Sequence, residues 1–510
     1  MRCYMIGRGS AHAGEKRFIN GYMKHSTDDG ELLLVVAGRC CKATSEVTAR
    51  TAGRIGRTRL KMATSIARHK PYSAYRPSGV ELLGDIPSHW DVKRLKYLAT
   101  INDEALPETT DPDMRFTYVD IGNVDAIGGI TGTEDLVFAE APSRARRLVQ
   151  QGDVIISTVR TYLRAIARIK PTDANLIVST GFAVVRPRHL DDGFVAYALS
   201  SPYFVERVLA HSTGVSYPAI NASELACLDI AFPSLPEQRT IAALLDRETA
   251  RIDELVNQKE RLIELLQEKR TALITLTVTR GLDLSVQMKG TGVESLGEIP
   301  EHWEAKRLKH MVSKIGSGKT PKGGAERYVT EGVMLLRSQN VHFGGLNLDD
   351  VAYIDADTDS EMSGSRVQEG DILLNITGAS LGRSCVARLG GADANVNQHV
   401  CILRVDKQRD DADYLAYLME SQALQDQIFS NETGVSRDAM NFEQIGDLVM
   451  ARPPALLQQQ AIATYLDRET AKLNVLVARI RDAIARLKEL RTALISAAVT
   501  GQIDVREEAR

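Results

Sequence analysis

The chain has 510 residues, 44% apolar and 25% charged, with 63 Lys/Arg against 66 Asp/Glu and a net charge of −3. At roughly 150 residues per domain this allows about three domains with real cores, which excludes a wholly disordered chain. The balanced charge also excludes a surface-wide field that would hold a polyanion indiscriminately, so any nucleic-acid contact must come from local basic groups. No apolar run approaches the ~18 residues of a bilayer span, and the longest near the start, Leu32 to Ala37, is too short for a secretory core; a soluble, cytoplasmic chain with no membrane partner is expected. Six cysteines without regular spacing read as reduced thiols, neither a disulfide framework nor a metal site.

Residues 1–61 carry twelve Lys/Arg against five Asp/Glu and no sustained hydrophobic period. The stretch 1–71 reads as a basic extension: a disordered tail, a nucleic-acid-touching arm, or the product of a start codon placed ahead of Met62. Beyond it the chain is one unit written twice. Ser78–Leu98, SGVELLGDIPSHWDVKRLKYL, returns 213 positions later as Thr291–Met311, TGVESLGEIPEHWEAKRLKHM, with thirteen of twenty-one residues identical and the only two tryptophans, Trp90 and Trp303, in equivalent places. The offset is 218 at Gln151-Gly-Asp and Glu369-Gly-Asp, 220 at the paired Thr-Gly-Val-Ser runs from Thr213 and Thr433, and 221 at the two Leu-Asp-Arg-Glu-Thr-Ala runs from Leu245 and Leu466. Insertions therefore fall mid-unit, where residues 99–150 and 312–368 hardly resemble each other. A shared frame with different contents suits two halves placed equivalently to recognise different things; drift after duplication is the plainer alternative.

The first domain is expected over 72–235, with strands at Asp153-Val-Ile-Ile-Ser-Thr-Val and Phe182-Ala-Val-Val and a helix over Asp191–Leu209. A long helix follows over 236–283, begun by Ser234-Leu-Pro-Glu237 as a capping box and stopped at Gly281. The second domain spans 284–453, with strands at Asp371-Ile-Leu-Leu-Asn-Ile and His399-Val-Cys-Ile-Leu and a helix over Asp411–Ile428; a second long helix covers 454–504, with its stop signal at Gly501, leaving a tail of 505–510. The fold class is mixed α/β (α+β): tandem domains, each followed by a long helix.

Both helices carry a narrow seven-residue ladder. In the first it runs Leu245, Ile252, Lys259, Leu266, Leu273 with the companion row Ile241, Glu248, Leu255, Leu262, Lys269; in the second, Leu466, Leu473, Ile480, Leu487, Leu494 with Ile462, Glu469, Leu476, Ala483, Leu490. A period near 3.5 is the seam of a two-helix coiled coil. About 44 residues at 1.5 Å each give a rod on the order of 65 Å. Two such helices in one chain can pair antiparallel under an internal pseudo-two-fold; a parallel pairing would bring both domains to one end.

Two basic clusters are candidates for DNA contact. The first runs from Arg144 to Lys170 and includes Arg144, Arg146, Arg147, Arg160 and Arg164; the second, from Ala305 to Arg327, includes Lys314, Lys319 and Lys322. Beside them stand loops rich in polar fork-shaped groups: Arg337, Gln339 and Asn340; Asn375, Thr377 and Arg383; and Asn397, Gln398 and His399, whose places in the first copy are taken by Ser157 with Thr158 and Ser179 with Thr180. Solvated surface is the bland alternative for such charge. Enzyme signals fail. Gly316-Ser-Gly-Lys-Thr320 lacks the first glycine of a phosphate loop, which would fall at Ser313; the histidines do not cluster at metal spacing; and Asp153 and Asp371 read as turns entering strands. No catalytic or metal residue is expected.

The doubled frame, the Pro-x-Gln/Glu-Gln entries around Pro236 and Gln459 and the twin long helices together resemble the specificity subunits of type I restriction-modification systems, over roughly residues 72–505. The resemblance implies a chain without a catalytic centre, in which two target-recognition domains each bind half of a split duplex DNA site while the helices set the spacer and dock methyltransferase subunits, with restriction-translocase subunits joining the assembly. S-adenosylmethionine, ATP and magnesium are implied only for those partners. A coiled-coil scaffold joining two protein-binding domains, without DNA contact, remains the alternative.

Overall fold

The apolar runs at mid-unit are buried on both faces, and this organises each half. In the computed structural model, which describes residues 70–125, 129–171, 175–214, 217–321, 323–430 and 439–506, strands Ile166–Arg168, Val154–Ser157, Phe182–Pro187 and Ala99–Ile101 form, in that order, an antiparallel sheet. Successive side chains of a strand face opposite ways. Val154, Ile156, Ala183 and Val185 accordingly join the core that holds Trp90 and the helices, whereas Ile155, Val184 and Phe182 join a second core with Val119, Leu176 and Val178. The latter residues belong to a second sheet, ordered Glu134–Val137, Arg115–Val119, Leu176–Ser179, Ala145–Leu148, in which 176–179 runs parallel to 115–119.

The second copy repeats this plan. Strands Val312–Ser317, Val400–Val405, Ile372–Asn375 and Ser384–Val386 make the antiparallel sheet, and Ala352–Ile354, Val333–Leu336 and Ala394–Val396 the mixed one, again with one parallel pair. Ile372 and Leu374 face the core of Trp303, Leu373 the opposite one. Ala145–Leu148 has no counterpart strand among the described residues; a single bridge, Arg366 to Asn395, stands there. Gly316 lies inside strand Val312–Ser317, paired with Ile402, so the phosphate-loop lookalike begins in sheet. At Gly318 a Cβ would overlap the Val396 carbonyl, and this close approach is why glycine stands there.

Each single helix expected after the sheet is two. Asp192–Ser200 and Pro202–Ala210 flank Ser201, and Ala412–Glu420 and Gln422–Ser430 flank Ser421. Both serines are fully buried in extended backbone, and their hydroxyls donate to the carbonyls of Ala198 and Leu418 three residues back. That local bond competes with helix continuation. Pro202 announced the break in one copy only.

The described chain divides into two compact units: residues 70–260 with 480–506, and residues 261–479. The division falls within both long helices, Leu235–Arg280 and Leu456–Val499. In the first unit Asp253 accepts from Arg491 at 3.1 Å and Glu260 lies 3.8 Å from Lys488, so the two helical segments run in opposite directions, with Leu494, Ile495, Ala498 and Val499 in the core of Ile241, Leu244 and Leu245. In the second, Ile274 and Val278 share a core with Ile462 and Leu466, and Arg270 pairs with Glu420. Of the expected seam, Ile252, Leu262, Leu266 and Ile480 are buried and Leu255, Leu273, Leu473, Leu487 and Leu490 half-buried. Leu476 departs from the stripe: it is 36% exposed, while Val477 beside it is half-buried. A straight helix drifts about 20° per heptad against a 3.5-residue repeat, enough to turn a predicted position outward.

Glu237 does not fold back as a cap. Its carboxylate accepts from Tyr72 Oη (2.7 Å) and Trp90 Nε1 (3.1 Å) and lies 3.0 Å from His89 Nε2, tying the start of the helix to the frame of the first domain. The helix ends are as expected: Gly281 (φ +79°) sits against Trp303, and Gly501 (φ +73°) against Pro87 and Trp90. In the extension 1–71, three short strands, Phe18–Ile19, Tyr22–Ser26 and Leu32–Leu34, pair antiparallel; all else in it except 70–71 lies outside the described residues. So do residues 507–510 of the expected tail.

Candidate nucleic-acid interface

The predicted polar residues separate by burial. Ser157, Ser179, Asn340 and Asn375 are at most 3% exposed and serve the fold. Ser157 donates to the Val159 carbonyl, Gly181 N–H to Ser179 Oγ (3.3 Å), Asn340 Nδ2 to the Asn347 carbonyl (2.9 Å) and Asn375 Nδ2 to the Ser338 carbonyl (2.8 Å). Buried amides and hydroxyls bonded to backbone cannot reach a groove, which corrects the expectation that these four contact DNA. Asp153 and Asp371 are buried too, each gripped bidentately by an arginine, Arg186 and Arg404, and each accepting a turn N–H, from Gln150 and Gln368. Repetition in both copies makes this a structural clamp.

Two cations of the first basic cluster are neutralised by carboxylates. Arg144 bonds Asp120 (2.9 Å) and Tyr118, which hold its guanidinium charged more firmly than usual. Arg168 pairs with Asp192 at 2.6 Å. Arg146 stacks on Phe138, and Arg147 is half-buried, its Nε without a partner and its pKa lowered by burial. Thr158 donates to the Gly181 carbonyl, and the Thr180 N–H donates to the Arg144 carbonyl. Arg160 and Arg164 are exposed and have no carboxylate partner among the described residues. Arg160 lies over the ring of Tyr217, 5.0 Å from its centre.

These two arginines bracket the turn after strand Val154–Ser157, and both have left-handed backbone, φ +54° and +53°. The turn is fastened to the segment after the second short helix: Val159 bridges Ala219, Ile220 N–H reaches the Thr158 carbonyl, and Thr161 Oγ1 is 3.0 Å from Ser212 Oγ. In the second copy, 218 positions on, the same turn follows Ile372–Asn375. Leu381 N–H bonds the Gly378 carbonyl as Leu163 N–H bonds that of Arg160, and Thr377 bridges Ala439.

Around that second turn stand uncharged hydrogen-bonding groups with cations beside them. Thr377 Oγ1 lies 2.7 Å from His399 Nδ1, Gln398 Nε2 lies 3.1 Å from His399 Nε2, and Thr320 donates to Gln398 Oε1. Asn397 Oδ1 caps the His399 N–H. Gln398, Lys319 and Arg383 are exposed, so hydroxyl, amide, imidazole and cation are available from three loops. Arg337 and Gln339 instead bind Asp350, and Lys314 donates to the Gly364 carbonyl, with burial lowering its pKa. Lys322 lies outside the described residues. No group of His, Cys, Asp and Glu suited to a metal occurs among the described residues. None of the described helices is long and apolar enough to cross a membrane.

Comparison with known proteins bears directly on this arrangement. Residues 87–265 match the family described as the type I restriction modification DNA specificity domain. Among curated proteins, the chain is 22% identical over 311 residues to the type I restriction enzyme EcoBI specificity subunit of Escherichia coli, covering 59% of this chain and 64% of that subunit. It is 23% identical to the MjaVIII specificity subunit of Methanocaldococcus jannaschii, covering 62% and 71%. Over residues 87–265 the chain therefore resembles a type I restriction modification DNA specificity domain. A solved structure titled for complex assembly and conformational transition of the type I R-M system shares the fold, with a TM-score of 0.65 and 23% identity over 81% of this chain and 98% of that one. The family match covers most of the first domain and part of its long helix; the internal repeat carries the same frame into the second domain.

Proposed function

We propose that this chain is the DNA-specificity subunit of a type I restriction-modification complex, and that its two target-recognition domains, 72–235 and 284–453, each read one half of a bipartite duplex site. The observation that carries this reading is one fold present twice, with different side chains on the equivalent turns: Arg160 and Arg164 in one, and Thr377, Gln398 and His399 beside Lys319 and Arg383 in the other. Equivalent turns bearing different donors and acceptors can distinguish different base edges and phosphates.

The long helices, 236–283 and 454–504, act as the spacer. Opposed ion pairs in one unit and the shared core of Ile274, Val278, Ile462 and Leu466 in the other support an antiparallel coiled coil. A helix of 46 residues spans roughly 69 Å at 1.5 Å per residue, a length that fixes a separation between half-sites. Methyltransferase subunits dock on these helices, and restriction-translocase subunits complete the assembly. The chemistry on adenine, with S-adenosylmethionine, belongs to the methyltransferases, and ATP and magnesium to the motor-nuclease; this chain positions and does not catalyse.

The test is binding of defined duplexes by the chain alone and with its methyltransferase partner. Weak binding alone and tight, sequence-selective binding of the pair are expected. Selectivity as strong without the partner would overturn the division of labour. Absence of salt-dependent binding in both cases would return the chain to the scaffold class.

A further inference from the structure

Residues 160–164 read Arg-Thr-Tyr-Leu-Arg and their counterparts, residues 378–382, read Gly-Ala-Ser-Leu-Gly. Backbone φ is +54° and +53° at Arg160 and Arg164, and +70° and +83° at Gly378 and Gly382. The turn demands left-handed geometry at both ends. The second copy meets that demand with glycine, which has no Cβ to clash; the first copy meets it with two long cations, for which this region is disfavoured. A residue held against its conformational preference, in a loop fastened on both sides, points to a use for the side chain. Tyr162 (52% exposed), Leu163 (40%) and Tyr217 (61%) leave apolar and aromatic surface beside the two guanidinium groups, whereas the second copy's Leu381 is 6% exposed.

We propose that this decorated turn is the duplex-gripping element of the first domain. Arg160, steadied on Tyr217, and Arg164 neutralise backbone phosphates on either side of the groove that Tyr162 and Leu163 approach. The turn of the second domain, built of small residues, leaves contact to its neighbours Thr377, Gln398 and His399. The first domain then carries its cations on the turn itself, whereas the second sets Lys319 and Arg383 beside a turn of small residues. This rests on the DNA reading above.

The experiment uses the full chain at low salt with a fluorescently labelled, mixed-sequence duplex, measuring affinity across a salt series together with the melting temperature. The double variant Arg160→Gly/Arg164→Gly restores the second copy's solution to the turn. Its melting temperature is expected to equal or exceed that of Arg160→Ala/Arg164→Ala, while both variants lower the slope of log affinity against log salt by about two, one for each phosphate-contacting cation. Arg115→Gln, an exposed cation of the same domain, is expected to leave the slope nearly unchanged. An unchanged slope in the glycine variant, an equal drop in Arg115→Gln, or a glycine variant that melts below the alanine one each overturns the proposal while leaving the DNA reading intact. Failure of the wild type to bind in a salt-dependent way, alone and with its methyltransferase partner, overturns both.

Discussion

The two repeated domains answer one backbone problem in opposite ways. At the turn after the central strand, the second uses Gly378 and Gly382 and keeps the surface small, while the first places Arg160 and Arg164 in the same left-handed geometry. A similar split occurs at the base of each domain. Glu237 gathers Tyr72, His89 and Trp90, but its counterpart 221 positions on is Gln458, and Trp303 Nε1 is left without a partner. The frame tolerates divergence wherever backbone geometry is kept, so side-chain chemistry is free to differ between halves.

The strongest way to break that comparison is exchange. Replacing residues 99–230 with those of a related specificity subunit is expected to change one half-site and leave the other intact, read by mapping methylated adenines in cells. A change in both halves would end the two-module view. Next is the carboxylate of the first frame. Glu237→Ala strands the buried Tyr72 and Trp90 donors and is expected to cost roughly 2–5 kcal/mol, against under about 1 kcal/mol for Gln458→Ala, measured as shifts in urea midpoints. Equal losses would mean the two frames are held alike after all.

The helix-ending glycines give a smaller, graded effect. Alanine at either has to adopt a left-handed backbone at about 1–2 kcal/mol. Gly501→Ala should lower the melting temperature more than Gly281→Ala, because its Cβ would run into Pro87 while that at position 281 meets Trp303 at 3.1 Å. Smallest are the thiols, whose labelling leaves stability untouched. Burial pushes Cys385 and Cys401 of the second domain up to about 12, so at mildly alkaline pH they stay protonated and unreactive, whereas exposed Cys227 of the first is alkylated. Peptide mass spectrometry after brief labelling of the native chain reads this, and early modification of Cys385 or Cys401 would show that the second domain opens readily.

Much of the architecture was legible because it depends on local periodicity. The runs at Val154, Phe182, Ile372 and Val400 form strands where expected, and Gly281 and Gly501 end the helices. Errors arose where a distant partner outcompetes a local rule. Glu237 satisfies a capping pattern four residues wide, yet its bonds go to side chains 147 to 165 positions away. The basic cluster between Arg144 and Lys170 overstated the available charge, since Asp120 and Asp192, outside the window, pair with Arg144 and Arg168. Ser157, Ser179, Asn340 and Asn375 looked like readers because polarity is visible in sequence and burial is not.

By itself the sequence determined the duplication, the mixed α/β class and the two long helices, because repeats and hydrophobic periods are one-dimensional patterns. Tertiary structure alone decided which polar groups remain free, because desolvation and ion pairing depend on neighbours brought from elsewhere in the chain. Only folding could reveal that Arg160 and Arg164 stand where the backbone asks for glycine: a positive φ is a property of the closed turn, fastened at Val159 to Ala219, and the first copy's residue types carry no mark of it, unlike Gly378 and Gly382 of the second.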